Sequence, residues 1–330
     1  MLDMRKKMSL LKLVLLLSIL ILALVVIYSG LQVLESTVLR PTVAEPPAES
    51  KTIVRDGVAY FPRQDITLVM VSGIDRTGVV EDSGSYNNPG AADMVSLLVF
   101  DPKSEKIHVI AFNRDTMMDI PVLGLKGQPA GTINGQLALA HTYGSGLTDS
   151  SANLRKAVSA FLYGAQINYY VTMNMDAISI MNDAVGGVTV NVTDDFSEID
   201  PSITKGEITL TGEQAVNFVR SRRGIGEGLN LNRVERHKEY MSGFMKALDQ
   251  TADSSTSTLL TAYDEALPYM VTDCTNKTLM SLMERYGDYQ LGDIITLKGE
   301  NVMGEQYMEY HVDEEALDDM ILSYLYAPKK

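Results

Sequence analysis

Apolar and polar positions alternate along this chain with two periods, one typical of strands and one typical of helices. Continuous apolar runs rich in β-branched residues predict strands covered on both faces of a sheet, at 66–72, 94–100, 106–112, 169–173 and 188–192. Runs with a period of about 3.6 residues predict helices, at 135–143, 151–162, 176–184, 212–219, 233–248, 278–286 and 314–326. A late strand pair is predicted at 291–297 and 306–311. We therefore expect an α/β fold in which helices flank a mixed central β-sheet as an α-β-α sandwich.

The first long apolar stretch has a different character. Residues 9–31 carry a single charge, at Lys12, and the short segment before them is basic. A membrane span needs about 20 mostly apolar residues, and basic residues stay on the cytoplasmic side. We expect a single-pass cell-membrane protein with a cytoplasmic tail at 1–8, a transmembrane anchor at 9–31 and an extracytoplasmic domain. A cleaved signal peptide is the alternative, which we disfavour because the apolar core exceeds the roughly 7–15 residues of a signal sequence.

Composition limits the remaining possibilities. Prolines among Ala, Glu and Ser predict a linker at 32–64, followed by the main domain at 65–250 and an extension at 251–330 that packs on it. The single cysteine, Cys274, excludes a disulfide within the chain, so the core must hold the domain together. The formal net charge of −14 argues against nucleic acid as a partner, because a phosphate backbone requires a broad basic face.

Arginines are concentrated in one part of this acidic chain. Five of the thirteen fall within seventeen residues: Arg220, Arg222, Arg223, Arg233 and Arg236. Guanidinium groups match phosphate oxygens in a two-pronged geometry and stay charged at any working pH. The cluster therefore indicates a phosphate site, the alternative being a solvated helix face with local salt bridges.

Charged residues also follow predicted strands. Asp75 and Arg76 come directly after the strand at 66–72, where open α/β sheets place their ligands, and Asp93 precedes the next strand. If those two strands are antiparallel, both carboxylates reach the same end of the sheet. Two carboxylates plus phosphate oxygens are typical of an Mg²⁺ site, which Mn²⁺ would also fit, although each aspartate read alone is equally a turn or cap residue. Arg114 follows the strand at 106–112 and is expected in the same pocket.

Two further positions are ambiguous in the sequence. Asn134 precedes a predicted helix and is either a helix cap or a substrate contact. Arg233, His237 and Tyr240 have the spacing i, i+4, i+7 and share one helix face. The eighteen methionines indicate soft core packing, or a pocket for a flexible lipid.

Several motifs together carry a family resemblance. They are 73–76 (Gly-Ile-Asp-Arg), 92–94 (Ala-Asp-Met), 113–116 (Asn-Arg-Asp-Thr), 132–134 (Thr-Ile-Asn), 183–188 (Asp-Ala-Val-Gly-Gly-Val), 219–222 (Val-Arg-Ser-Arg) and 233–236 (Arg-Val-Glu-Arg). Their order and types resemble the LytR-CpsA-Psr family over about 66–248. The chain departs from the family pattern at Asn230, where many members have Asp, at His237, where many have Gln, and at Thr132 and Gly135.

The resemblance implies a function. Members of that family are membrane-anchored phosphotransferases that move a glycopolymer, such as teichoic acid or capsule, from a polyprenyl pyrophosphate carrier to peptidoglycan. By resemblance, Asp75 and Asp93 would hold Mg²⁺ against the pyrophosphate. The catalytic arginines would be Arg114, Arg220, Arg222 and Arg233. Arg76, Asn134, Arg236 and His237 would contact the substrate.

Three alternatives remain open at this stage. A polyprenyl pyrophosphate pyrophosphatase would use water in place of the sugar acceptor. A receptor for polyprenyl phosphates would use the same arginines without catalysis. A transcriptional attenuator is disfavoured, because an exported acidic domain cannot reach the chromosome. The sequence also predicts that a long apolar channel between sheet and helices receives the lipid.

Overall fold

The computed structural model describes residues 51–221, 230–252, 261–262, 265–274 and 276–328. These residues form the strands β1 (Ile53–Arg55), β2 (Val58–Pro62), β3 (Thr67–Ile74), β4 (Ala92–Asp101), β5 (Lys106–Phe112), β6 (Met117–Leu123), β7 (Pro129–Gln136), β8 (Tyr169–Asn174), β9 (Val188–Val192), β10 (Gly206–Leu210), β11 (Met270–Thr272), β12 (Gln290–Thr296), β13 (Gly299–Met303), β14 (Met308–Val312) and β15 (Tyr326–Pro328). The α-helices are α1 (Thr148–Phe161), α2 (Met175–Ala184), α3 (Gly212–Arg220), α4 (Asn230–Ala252), α5 (Asn276–Tyr286) and α6 (Glu314–Tyr324).

A six-stranded sheet with the order β11-β8-β3-β4-β5-β12 forms the centre of the fold. The pairs β3–β8 and β5–β12 are parallel, and the other pairs are antiparallel. The predicted mixed central sheet is therefore confirmed. Four of the five predicted strands belong to it. The fifth, β9, instead pairs with β10 in a separate antiparallel hairpin.

Both faces of this sheet are covered. Along β3, Val69 and Val71 pack into the cluster with α2, α3 and α4, whereas Leu68 and Met70 pack into the cluster with α1 and α6. Successive side chains of a strand point to opposite faces, so a continuously apolar strand serves two cores. This arrangement confirms the predicted α-β-α sandwich.

Helix α4 lies unusually close to β9. A Cβ atom added at Gly243 would lie 2.3 Å from the backbone oxygen of Thr189, a contact that only glycine avoids. On the other side of this core, α3 begins with the predicted capping box, in which Thr211 and Gln214 bond to each other's backbone amides. The capping box fixes the start of α3, and Gly243 allows the middle of α4 to pack against β9.

The structure corrects three predictions from the sequence. The predicted helix at 135–143 is wrong, because β7 extends to Gln136 and is followed by a 3-10 helix at Leu137–His141. The predicted pairing of 291–297 with 306–311 is also wrong, since β12 joins the central sheet and β14 pairs with β13. Residues after Lys51 in the predicted linker form β1 and β2, and β15 pairs with β2.

The later part of the chain is integral to the domain. Strands β11 and β12 form the two edges of the central sheet, although both come from the predicted extension at 251–330. The predicted anchor at 9–31 and the tail at 1–8 lie outside the described residues. Among the residues that the structure does describe, none of the helices has the length and apolar character of a membrane span.

Candidate functional site

The two aspartates predicted to act together lie at one end of the central sheet. Asp75 directly follows β3, and Asp93 is the second residue of β4. The two strands are antiparallel, with Gly73 opposite Met94 and an irregularity in the register just beyond. The expectation that antiparallel pairing brings both aspartates to the same end of the sheet is confirmed.

Asp93 lies between two arginines that are far apart in the sequence. Its Oδ1 accepts a hydrogen bond from Nη1 of Arg114, which follows β5. Its Oδ2 accepts from Nη1 of Arg233 at 3.2 Å, and its backbone oxygen accepts from Nη2 of Arg233 at 3.1 Å. Arg233 is only 2% exposed, so its charge needs these partners. The prediction that Arg114 and Arg233 point into the same site is therefore confirmed.

The second aspartate faces a third arginine. Nε of Arg220, the last residue of α3, lies 2.6 Å from Oδ1 of Asp75. This oxygen is buried and has no partner in hydrogen-bond geometry among the described residues. The side chain of Arg220 is 49% exposed, in contrast to Arg233. Asp75 and Arg220 therefore form a more open ion pair beside the buried one.

Arg236, also predicted to contact substrate, is used to brace the fold. It donates to the backbone oxygens of Phe218 (3.0 Å) and Ser221, and its Nη1 lies 2.6 Å from Oδ2 of Asp194. Burial lowers the pKa of this guanidinium, and the Asp194 carboxylate opposes that shift. Arg236 fixes the carboxyl end of α3 and thereby the position of Arg220.

Two other predicted residues, Arg76 and Asn134, lie apart from this group. Arg76 is exposed and lines a different cavity, because neighbouring residues at the end of a strand point to opposite faces. Asn134 is exposed on β7, opposite Asp119, and does not cap a helix. Arg222 lies outside the described residues.

An apolar cavity of about 130 Å³ opens beside Arg233, between the sheet and helices α2 and α4. Asp93, Arg220 and Arg233 line its charged part. Five of the eighteen methionines line the rest: Met94, Met173, Met175, Met181 and Met241. Such flexible, polarizable side chains adapt to an irregular apolar ligand. Its position between the sheet and the helices and its apolar lining are those expected of the predicted channel, and the binding of a lipid stays a prediction.

The predicted helix face is also present. Arg233, His237 and Tyr240 all line the cavity from α4, as their spacing indicates. Sequence analysis did not assign the apolar lining residues individually. Their signal was the excess of methionine, which does not distinguish a core position from a cavity wall.

His237 is held neutral in this wall. Its Nε2 lies 2.9 Å from the backbone oxygen of Val219, which only accepts, so Nε2 carries the proton. Burial, reinforced by the nearby Arg233 charge, lowers the pKa of His237 to about 3. His237 therefore adds no charge to the site at neutral pH.

The lowered pKa of His237 predicts a pH dependence of stability. The unfolded chain binds a proton near its ordinary pKa of about 6.5, whereas the folded chain does not, so the free energy of unfolding should fall as the pH drops from 7 towards 4. We expect His237→Gln to reduce this fall, measured as urea midpoints at several pH values. An unchanged pH slope in the variant would contradict the assignment.

Comparison with known proteins places the chain among related sequences. The profile described as the LytR_cpsA_psr family matches residues 47–323. The polyisoprenyl-teichoic acid–peptidoglycan teichoic acid transferase TagU of Oceanobacillus iheyensis is 27% identical over 265 residues, which cover 78% of this chain and 75% of that protein. The protein of the same name from Enterococcus faecalis is 28% identical over 251 residues, 76% of this chain and 75% of that protein.

Solved structures share the fold. The structure described as TagT bound to LI-WTA is similar with a TM-score of 0.57 and 19% identity, over 78% of this chain and 88% of that one. TagV of B. subtilis has a TM-score of 0.58 and 20% identity, over 78% and 95%. The family profile covers most of the chain, including the segment after residue 250. The chain therefore belongs to the LytR-CpsA-Psr family, as its motifs predicted.

Proposed function

We propose that this protein is a phosphotransferase that moves a glycopolymer of the teichoic acid type from a polyprenyl pyrophosphate carrier to peptidoglycan. The observation that carries the proposal is the junction of an apolar cavity with a cluster of buried arginines. A polyprenyl pyrophosphate has the same two parts, an apolar chain and a dianionic or more highly charged head. The transferase names of the TagU relatives support the choice of glycopolymer and acceptor.

In the proposed reaction, a hydroxyl of the peptidoglycan sugar attacks the phosphorus nearest the glycan. The bond between that phosphorus and the bridging oxygen breaks, and polyprenyl phosphate leaves with the electron pair. Phosphoryl transfer depends on positioning and charge neutralisation, which Arg114, Arg233 and the more exposed Arg220 would supply. The hydroxyl proton passes to a carboxylate, for which Asp75 or Asp93 is the candidate if it does not hold the metal.

The two aspartates are also the candidate metal ligands. The buried Oδ1 of Asp75 faces Nε of the half-exposed Arg220 at 2.6 Å, and a diphosphate that draws Arg220 away would free this oxygen to bind a cation. Both carboxylate oxygens of Asp93 accept from guanidinium groups, and a diphosphate that takes over those groups would release them. Mg²⁺ usually keeps few protein ligands and several waters, so two carboxylates together with diphosphate oxygens would be enough to hold it. Bound Mg²⁺, or Mn²⁺, would neutralise charge on the diphosphate.

The proposed location follows from the sequence. With the anchor at 9–31 crossing the membrane and the basic tail inside, the domain would lie at the outer face of the cell membrane. A lipid carrier embedded in that membrane would then reach the apolar cavity. Peptidoglycan lies on the same side.

The direct test uses purified protein, a radiolabelled lipid-linked glycan donor, peptidoglycan and Mg²⁺, with and without a chelator. We expect the label to become covalently attached to peptidoglycan, with loss of the reaction in chelator and recovery on adding Mg²⁺. Free glycan phosphate in place of the linked product would identify a pyrophosphatase. Binding of donor without any product in a single-turnover experiment would identify a receptor.

A further inference from the structure

A second cavity, of about 430 Å³, lies on the opposite face of the sheet at the ends of the same strands. Ile74 of β3 lines it, whereas Val71 and Gly73 line the apolar cavity, as expected from the alternation of side chains along a strand. Met173 of β8 borders both. Residues at the ends of β3 and β8 therefore line both cavities, and Asp75 lies in the chain between Ile74 and Arg76, which line the second one.

This second cavity is polar and mostly uncharged. Its neutral polar lining consists of Thr77, Ser83, Asn88, His141, Ser145, Thr172 and Asn174. Arg76 contributes the positive charge, and Glu81 and Asp82 contribute negative charge from exposed positions. The lining differs sharply from the methionine wall of the first cavity, so the two cavities suit ligands of different chemistry.

His141 lines this cavity, and one of its ring nitrogens is buried without a hydrogen-bond partner among the described residues. His141 is 2% exposed, and its Nδ1 lies 2.7 Å from the backbone oxygen of Gly90. A carbonyl oxygen only accepts, so Nδ1 carries the proton. Nε2 has no hydrogen-bond partner among the residues that the structure describes. Burial lowers the pKa of His141 to about 4, so at neutral pH Nε2 is an unprotonated acceptor.

The cavity walls are held in place before any ligand binds. The backbone amide of Asn88 donates to the oxygen of Thr142 at 2.9 Å, and its side-chain Nδ2 donates to the oxygens of His141 (2.8 Å) and Gly144 (3.0 Å). On the other side, Nδ2 of Asn174 donates to the oxygen of Gly78 at 2.5 Å. A buried acceptor in a preorganised polar cavity favours a ligand that donates a hydrogen bond, because an unmade bond is costly.

We propose that this second cavity binds a neutral glycan, the acceptor strand of peptidoglycan, with a sugar hydroxyl or amide donating to Nε2 of His141. The proposal rests on the proposed transferase function and names its acceptor site. The position of the cavity beside Asp75 would bring an acceptor to the strand ends where the diphosphate is held. The polyanionic glycan of the donor is the other possible source of sugar, but Glu81 and Asp82 at exposed positions repel it.

Binding is tested first without catalysis. Chitotetraose, a neutral tetramer of N-acetylglucosamine, is titrated into the protein by calorimetry, and a soluble poly(glycerol phosphate) serves as the polyanionic probe. We expect chitotetraose to bind and His141→Leu to weaken it about tenfold, the effect of roughly one lost hydrogen bond. Tighter binding of the polyanion in this cavity would overturn the choice of a neutral glycan.

A second variant tests the cavity independently, in case His141→Leu does not fold. Val79 lines the cavity and is 55% exposed, so Val79→Trp should fill the cavity without disturbing the core. The matched control is Val58→Trp, at a valine that is 42% exposed on β2 and lines neither cavity. We expect Val79→Trp alone to abolish chitotetraose binding. Equal binding by both tryptophan variants would overturn the proposal.

The transfer assay then separates this inference from the proposed function. For His141→Leu and Val79→Trp, we expect the KM for peptidoglycan to rise about tenfold or more, with donor binding unchanged. Transfer with an unaltered acceptor KM in both variants would refute the glycan cavity and leave the transferase intact. The remaining outcome is that the protein only hydrolyses the donor while Val79→Trp abolishes chitotetraose binding. That pair of results would support the glycan cavity and refute the transferase.

Discussion

Replacing Arg233 with alanine is expected to lower the rate of glycopolymer transfer by at least about 10³-fold, the effect typical of losing an arginine that stabilises a phosphoryl transition state. Arg233 is buried at the charged end of the apolar cavity and contacts Asp93 through both Nη atoms. No other cation of α4 among the described residues lines that cavity. The rate is measured under single turnover with a lipid-linked donor.

A matched pair of conservative variants tests the same point without removing charge. Arg233→Lys keeps the cation but loses the two-pronged geometry, so we expect a loss of about 10²-fold or more. Arg236→Lys changes a buried arginine one turn away that braces α3 and does not line the cavity. It should lower stability but leave the rate per folded molecule within about tenfold. Equal rate losses in the two variants would refute the distinct roles assigned to the two arginines.

The second large effect concerns Asp93, which separates two cations. Asp93→Ala would leave Arg114 and Arg233 facing each other without their shared carboxylate, and breaking such a buried arrangement typically costs about 3–5 kcal/mol of stability. If a diphosphate binds between the same arginines, it should replace the lost carboxylate. We therefore expect inorganic pyrophosphate to raise the melting temperature of Asp93→Ala more than that of the unaltered protein.

The control for this rescue is Asp194→Ala. Asp194 is the carboxylate partner of buried Arg236, so its loss also unpairs an arginine, but at a position that does not line the cavity. Pyrophosphate should not stabilise it beyond the unaltered protein. Rescue of both variants to the same extent would mean that the anion acts on any exposed arginine, and the diphosphate site would be refuted.

Sequence analysis located the central strands well because their apolar runs are long enough to cover two faces. The strand β5 begins and ends where predicted, and β3, β4 and β8 differ by one or two residues at their ends. The errors fall where pairing partners are decided by distant contacts. The apolar pattern of 291–297 would be the same whether this segment paired with a hairpin neighbour or with β5. In the structure it pairs with β5 and forms an edge strand of the central sheet.

The same distinction holds within the site. The sequence identified the charged residues of the site for two reasons: some follow or precede strands, and the arginines are concentrated in a chain of negative net charge. These residues are Asp75, Asp93, Arg114, Arg220 and Arg233. Arg236 is also an arginine and lies on the same helix as Arg233, so the sequence did not distinguish the two. In the structure, Arg236 contacts the carboxyl end of α3. His141 was not assigned a role, because a lone histidine carries no signal of which nitrogen is left without a partner.

The amino-acid sequence by itself determined the α/β class, the family and the set of charged residues available to hold a diphosphate, since these depend on composition, periodicity and motifs. Only the tertiary structure decided that Arg114 and Arg233 share one carboxylate, and that two cavities with different linings lie at the ends of β3 and β8. The physical reason is that burial, hydrogen-bond partners and cavity walls are set by residues from distant parts of the chain. A periodicity records which face a side chain occupies, but not what lies opposite to it.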